Sequence, residues 1–287
     1  MTFKDFIADP ARPCAVVAHR GAWQNDGPGA PENSLAALER AIALGCAIVE
    51  VDIQQSADGD LFLLHDDTLQ RMAGVDARAD TLTLAELQRL RLRRGDGGPD
   101  RVMTAETIPS FDAVLETARG RVFLDLDVKH PAQMPAVAAR VKAMGMQDQV
   151  DLKERIDSTA ARAWLQAQPG LDGIPFMGKA LFRGAAADAT AAEVIALRPF
   201  MCEAEFDRLE TLAAQAERLR AAGIALWVNT LDSVSSAGFT DTAARADPDA
   251  VWGRLIAAGV SVIQTDAVEE LLGYVGRENL EIVEWSR

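Results

Sequence analysis

The sequence predicts a closed parallel α/β barrel. Short apolar runs alternate with segments of helical periodicity over about 250 residues, the pattern of successive βα units. Eight of the runs read as barrel strands, and their downstream ends are unusually polar. A ninth run does not fit the alternation, and it brings the second histidine of the chain with it.

"CAVVAH" (14–19) is the first strand. "NSLAALERAIALG" (33–45) follows as a helix, capped by Asn33 or Ser34, with Leu35, Leu38 and Ile42 on one face and Gly45 as its stop. "AIVEVDI" (47–53) is the second strand, although it carries Glu50 and Asp52. Later strands are expected at 121–129, 150–153, 172–177, 199–205, 224–229 and 260–266, with helices at 132–145, 157–167, 207–222 and 249–258 and an Ala-rich helical stretch at 185–192.

The ninth run ends in His65. Only "QQSADG" separates it from the second strand, too little for the crossover of about a dozen residues that a parallel neighbour needs. Asp58-Gly59 is instead a two-residue hairpin signal. A turn centred there sets Asp52 opposite His65, on one face with Glu50, whereas a slip of one residue sends His65 to the other face. Beyond it, 67–109 reads as an insertion over one end of the barrel, with a short helix at 81–90 behind the capping box Thr83-x-x-Glu86 and a flexible, turn-rich segment at 93–100. The expectation is one domain over 1–287 carrying this insertion.

Composition narrows the function classes. The chain has 287 residues, 49% hydrophobic and 25% charged, enough for a large core. A net charge of −14 repels phosphate backbones and argues against nonspecific nucleic-acid binding. Cys14, Cys46 and Cys202 are too few and too far apart for a disulfide framework or a zinc pattern. No leader-like or membrane-spanning run is visible, so the cytoplasm is the expected location; oligomeric state is not legible.

Strand ends of such a barrel converge on one mouth. Here they bring His19, Arg20, Glu50, Asp52, His65, Asp127 and Lys129, with Asp125 earlier on the same face as Asp127 and with Lys153, Glu203, Asn229 and Asp266 at later strands. Clustered carboxylates suit a hard divalent cation, Mg²⁺ or Ca²⁺. That cation, Arg20 and Lys129 together suit a phosphate, and two histidines can share the proton transfers of phosphodiester cleavage. His130, without an evident partner, reads as structural or solvated.

At these residues the chain resembles the glycerophosphodiester phosphodiesterase family, through "AHRG" (18–21), "PENS" (31–34), "EVD" (50–52), "DG" (58–59), "HDD" (65–67), "DVK" (127–129), "WVN" (227–229) and "TD" (265–266). Each motif is short; their order and spacing across nearly the whole chain carry the likeness. The resemblance implies a TIM (β/α)8 barrel with an insertion after the HD histidine, a divalent metal, and hydrolysis of a small glycerophosphodiester to sn-glycerol 3-phosphate and an alcohol. Position by position it implies Glu50, Asp52 and Asp127 as metal ligands, His19 and His65 as the acid/base pair, Arg20 and Lys129 as phosphate contacts, and Trp227 as an aromatic on the substrate side. Glu32 and Asn33 fall in the "PEN" element that shapes the first loop. Family members usually carry Glu-x-Lys where this chain has Asp127-Val128-Lys129, which leaves Asp125 as an alternative third ligand. Lys153 and Glu203 are candidates for head-group choice. A related barrel acting on a lysophospholipid or another phosphodiester, and a catalytically silent, phosphate-binding barrel, are the competing readings.

Overall fold

Along the chain the strands are β1 (Ala15–Ala18), β2 (Ile48–Gln55), β3 (Leu61–Leu63), β4 (Arg91–Arg93), β5 (Met103–Thr107), β6 (Phe123–Val128), β7 (Val150–Arg155), β8 (Phe176–Phe182), β9 (Met201–Phe206), β10 (Ala225–Leu231), β11 (Val234–Ser235) and β12 (Val262–Thr265). They come from a computed structural model that describes residues 1–12, 14–24, 29–156 and 158–276. Among these residues β1, β2, β6, β7, β8, β9, β10 and β12 are the eight strands of a TIM (β/α)8 barrel, with helices between them and an insertion after His65. Contacts divide the chain into two compact units, Ala18–Val150 and Met1–Val17 with Asp151–Arg287.

In the unit Ala18–Val150, β2 runs parallel to β6 with Glu50 beside Asp125 and Asp52 beside Asp127. β2 is buried along almost its whole length, as a strand covered on both faces must be. Its side chains alternate, so Val49, Val51 and Ile53 take one face while Glu50, Asp52 and Gln54 share the other. β6 repeats the device with Asp125 and Asp127 set between Leu124, Leu126 and Val128. The charges that looked misplaced in two apolar runs therefore form one polar face. Helix Leu35–Leu44 is capped by Ser34, whose Oγ accepts the Ala37 N–H, and ends at Gly45 in the left-handed region; such a cap stabilises by about 1 kcal/mol.

In the other unit the strand order is β1-β12-β10-β9-β8-β7, with β7 to β10 and β12 paired in parallel. Helices Thr159–Gln166, Ala187–Leu197 and Leu209–Ala221 lie between its strands. The three cysteines are free and buried.

Four expectations need correction. The hairpin pairs Ile53 with Leu63 and Gln55 with Leu61, one residue away from the expected register. Its turn is the three-residue loop Ala57–Gly59: the Gly59 N–H donates to the Ser56 carbonyl, the Ser56 N–H to the Asp60 carbonyl, and Gly59 sits at φ +89°. A third loop residue in the left-handed region is the second common hairpin solution, and it shifts every pair by one. Leu64, not His65, therefore lies against Asp52, its N–H donating to the Asp52 carbonyl. Next, the strand expected at 172–177 runs instead over Phe176–Phe182, because Asp172 and Gly173 form a turn with Gly173 in the left-handed region at φ +84°. The segment 93–100 is not loose: it closes the β4–β5 hairpin, and its Gly95 exchanges backbone hydrogen bonds with Ala30 and Glu32. Finally, His130 has a partner, with Nε2 3.3 Å from Asp67 Oδ1. Residue 157, at the start of the helix expected over 157–167, and residues 277–287 of the expected domain lie outside the described residues.

The insertion builds its own small core. Leu69, Met72, Ala73, Ala79, Leu87, Leu92 and Ile108 pack with Phe62 and Leu64 of the hairpin. Thr83 and Glu86 form the expected capping box of helix Leu84–Leu87.

Candidate active site

The unit Ala18–Val150 assembles most of the predicted residues. Glu50, Asp52 and Asp127 each offer a carboxylate oxygen, and these oxygens lie within 4.8 Å of one another; among the described residues no other histidine, cysteine or carboxylate group of three does so. Glu50 and Asp52 are 1% exposed. Two adjacent buried carboxylates are costly without countercharge. Lys129, just beyond β6, supplies some: its Nζ lies 3.1 Å from Asp52 Oδ1 and 3.5 Å from Asp127 Oδ2. An all-oxygen set of this kind fits a hard divalent cation. Asp125 is fully buried one step back on β6 and is not part of the group.

The first loop fixes this group from the side. Asn33, at φ +54°, holds Asp52 at two points: its Nδ2 donates to Asp52 Oδ2 at 2.7 Å, and the Asp52 N–H donates to Asn33 Oδ1 at 3.0 Å. Arg20, also left-handed at φ +55°, donates its backbone N–H to Glu50 Oε2 at 3.0 Å and sets Nε 3.1 Å from Asp52 Oδ2. Gly21 follows at φ +81°, and a Cβ there would stand 2.7 Å from the Ala37 Cβ, so only glycine lets this loop lie against helix Leu35–Leu44. Glu32, 2% exposed, receives Arg20 Nη1 at 2.9 Å.

His65 arrives by a route other than strand pairing. β3 ends at Leu63, and Gln54, on the same β2 face as Asp52, donates Nε2 to the carbonyls of Leu64 and Asp66, both at 2.8 Å. That pair of bonds bends the chain over the end of β2 and brings the ring back despite the shifted register. His65 Nδ1 pairs with Asp66 Oδ1 at 2.8 Å. His19 follows β1 and is 8% exposed, while the His65 side chain is 35% exposed.

Electrostatics tie these groups together. Burial pushes the Asp52 carboxyl up, but Lys129, Arg20, His65 and His19 outweigh it and hold the group below the usual carboxylate range. Burial works against the Lys129 and Arg20 cations, and the surrounding acids overcome it in both, raising both values. Asp52 is thus held as a carboxylate, with the Lys129 and Arg20 cations stabilised beside it. One of its members escaped the sequence: Arg71 of the insertion donates to Asp66 through Nε at 2.6 Å and to Glu32 through Nη2 at 2.6 Å. Nothing in the spacing of Arg71 marks it, because its partners are 5 and 39 residues away.

Lys153, Glu203 and Trp227 belong to the other unit. Trp227 is fully buried there, its indole N–H donating to Asn229 Oδ1 at 2.6 Å. Asn229 Nδ2 donates to Glu203 Oε1 at 3.1 Å, Lys179 Nζ lies 3.5 Å from Glu203 Oε2, and Lys153 stands 6.0 Å over the Trp227 ring. With Asn229 and Lys179, these three residues form one network across β7, β8, β9 and β10.

Comparison with known proteins places the chain. Residues 19–169, just over half of it, match the family model described as the glycerophosphoryl diester phosphodiesterase family; residues 180–275 match a model described only as a domain of unknown function. A glycerophosphodiester phosphodiesterase of Caldanaerobacter subterraneus is 33% identical over 115 residues, 40% of this chain and 44% of its own length. The chain spans about half the length, or less, of the curated relatives it matches. A crystal structure of a glycerophosphoryl diester phosphodiesterase from Parabacteroides distasonis superposes with a TM-score of 0.73 at 22% identity, covering 100% of this chain and 95% of that one. An Oleispira antarctica phosphodiesterase, solved in complex with the product sn-glycerol-3-phosphate, gives 0.62 at 22% identity over 91% and 96%. These two likenesses show the fold, and the match over 19–169 carries the residues of the carboxylate group: the chain belongs to the glycerophosphoryl diester phosphodiesterase family.

Proposed function

We propose that this protein hydrolyses small glycerophosphodiesters to sn-glycerol 3-phosphate and an alcohol, with a divalent cation held by Glu50, Asp52 and Asp127. The observation that carries the reading is the carboxylate group with Lys129, Arg20, His19 and His65 acting on it within one compact unit. A silent phosphate-binding barrel has no use for two histidines beside such a group. When bound, the cation neutralises charge on the phosphate oxygens.

The chain's own residues do the rest. Arg20, anchored by Glu32 and Asp52, and Lys129, anchored by Asp52, present fixed positive charge to the phosphate. Their orientation is set before substrate arrives, so little reorganisation is needed as charge develops. The Nδ1 of His65 is engaged by Asp66, which leaves Nε2 as the nitrogen that exchanges a proton with substrate. One histidine takes the proton of the attacking oxygen, from water or from the glycerol 2-hydroxyl, and the other protonates the departing alcohol. Trapping a cyclic phosphate distinguishes the second source from the first. Lys153, Glu203 and Trp227 are the residues we assign to head-group choice, on the strength of the single network they form. Among the described residues no helix is long and apolar enough to cross a membrane.

Glycerophosphocholine, glycerophosphoethanolamine and glycerophosphoinositol, each assayed with Mg²⁺, Ca²⁺ and Mn²⁺, test the reading. Release of sn-glycerol 3-phosphate with at least one pair is expected. Binding of these compounds without turnover under all metals overturns it in favour of the silent barrel.

A further inference from the structure

A run of alternating charge crosses the site from Arg20 to His65, and its middle member lies in the insertion. Arg20 Nη1 is 2.9 Å from Glu32 Oε2, and Arg71 Nη2 is 2.6 Å from Glu32 Oε1. Arg71 then takes both oxygens of Asp66, through Nε at 2.6 Å to Oδ2 and Nη2 at 2.9 Å to Oδ1. Asp66 Oδ1 meets His65 Nδ1 at 2.8 Å. Glu32 is almost completely buried, while Arg71 and Asp66 are about three-quarters covered. The backbone of Arg71 is held as well: the Gly98 N–H donates to its carbonyl at 2.9 Å, and its Nη1 donates to the Asp96 carbonyl.

We propose that Arg71 is a positioning residue of the active site: by gripping Asp66 and Glu32 at once, it sets the ring of His65 and the guanidinium of Arg20 in their working orientations. The inference rests on the hydrolytic reading above. A carboxylate beside a histidine can turn about its last bond and present either oxygen. Two parallel N–H donors from one guanidinium remove that freedom, and the fixed Oδ1 then selects the ring tautomer protonated at Nδ1. The same guanidinium reaches Glu32, so displacement of one histidine partner is felt by the arginine on the other side. Only arginine does this, because its donors are spread over a planar fork; a lysine offers a single nitrogen that cannot take both oxygens of Asp66 and one of Glu32. On this account the insertion is part of the machinery, and its core and hairpin loop serve to place one side chain.

The test compares wild type with Arg71→Ala, Arg71→Lys and Asp66→Asn, with Arg78→Ala as control; Arg78 also sits in the insertion, and its ion pairs among the described residues are with exposed Asp67 and Asp80. Loss of orientation of about 1 Å lowers rate by roughly 100-fold. Arg71→Ala is expected to lose about that in kcat with much less change in KM, and Arg71→Lys to stay low. Added guanidinium, well below denaturing concentration, should return at least about tenfold of the lost rate to Arg71→Ala and none to Asp66→Asn, which is expected to be as slow. Arg78→Ala should match wild type. An active wild type whose Arg71→Ala variant keeps its kcat overturns this inference alone, as does a loss that guanidinium leaves untouched. If Arg71→Ala does not fold, Asp66→Asn decides, and unimpaired turnover by it overturns the inference. A wild type inactive on every glycerophosphodiester overturns the functional reading and this inference with it.

Discussion

Asp52 carries the heaviest load of contacts in the site. Lys129 meets its Oδ1, Arg20 and the Asn33 amide nitrogen share its Oδ2, and the Asn33 amide oxygen accepts its backbone N–H. Asn33 holds a backbone conformation that glycine adopts freely, so Asn33→Gly removes the clamp without straining the chain. Partners of a metal ligand typically control about 10- to 100-fold of metal affinity. Titration calorimetry of Asn33→Gly with Mg²⁺ or Mn²⁺ should show a loss of that size. The shorter side chain at 127 is tested alongside: Asp127→Asn should abolish metal binding, whereas Asp125→Asn, outside the carboxylate group, should bind more tightly than Asp127→Asn. Equal affinities for the two variants would return Asp125 to the ligand set. At this scale the sequence was informative where chemistry is local. His19, Arg20 and Lys129 directly follow predictable strands, and Glu50, Asp52 and Asp127 lie on one face within them. Arg71 stayed hidden because its role depends on a fold of the insertion that no periodicity announces.

At the scale of elements, the period-two placement of Glu50, Asp52, Asp125 and Asp127 was readable, since alternation alone assigns them to one face. The hairpin register was not. Ala57-Asp58-Gly59 suits a two-residue turn and a three-residue loop equally in composition, and the choice between them moves every pair. Gln54 then restores His65 to the site, a tertiary hydrogen bond that turn chemistry cannot foretell. Gly59 has open space around the position of a Cβ, with Gln55 Nε2 at 3.9 Å, so Gly59→Ala isolates the cost of its positive φ. A loss of about 1–2 kcal/mol in urea unfolding is expected. No loss would mean that the three-residue loop is wrong. The β4–β5 hairpin also escaped, because its strands are short and polar and lack an apolar alternation.

Asp241 tests a second element. It begins helix Asp241–Ala246 and accepts from Thr230 and Thr265 at 2.6 Å and from the Asp266 N–H at 2.7 Å, tying the ends of β10 and β12 together. Burial raises its carboxyl despite those three donors. The folded form therefore holds its proton more tightly than the unfolded chain does. The group's contribution to stability is greatest below the ordinary carboxylate value and falls as pH rises through the raised one. Urea midpoints of wild type and Asp241→Asn across that window should converge toward acid and separate above it. A constant gap would contradict the assignment.

For the whole molecule, the fold class was legible because strand-helix alternation over this length has few solutions, and a polar set at the strand ends marks the face where barrels do chemistry. The strand displaced to Phe176–Phe182 shows the limit: a turn such as Asp172-Gly173 blurs where a strand begins without altering the number of strands. The net charge of −14 argues against nucleic-acid partners without naming the substrate, and attraction for the phosphate in this account comes from Arg20 and Lys129. The central claim is that one carboxylate group and two histidines perform phosphodiester hydrolysis. Release of sn-glycerol 3-phosphate from glycerophosphocholine, measured for wild type, His19→Ala and His65→Ala before and after chelation, addresses it directly. The account predicts turnover by wild type that chelation abolishes and added divalent metal restores, and a loss of at least about 100-fold in each histidine variant with the fold intact. Near-full activity in both histidine variants, or turnover indifferent to chelation, would contradict it.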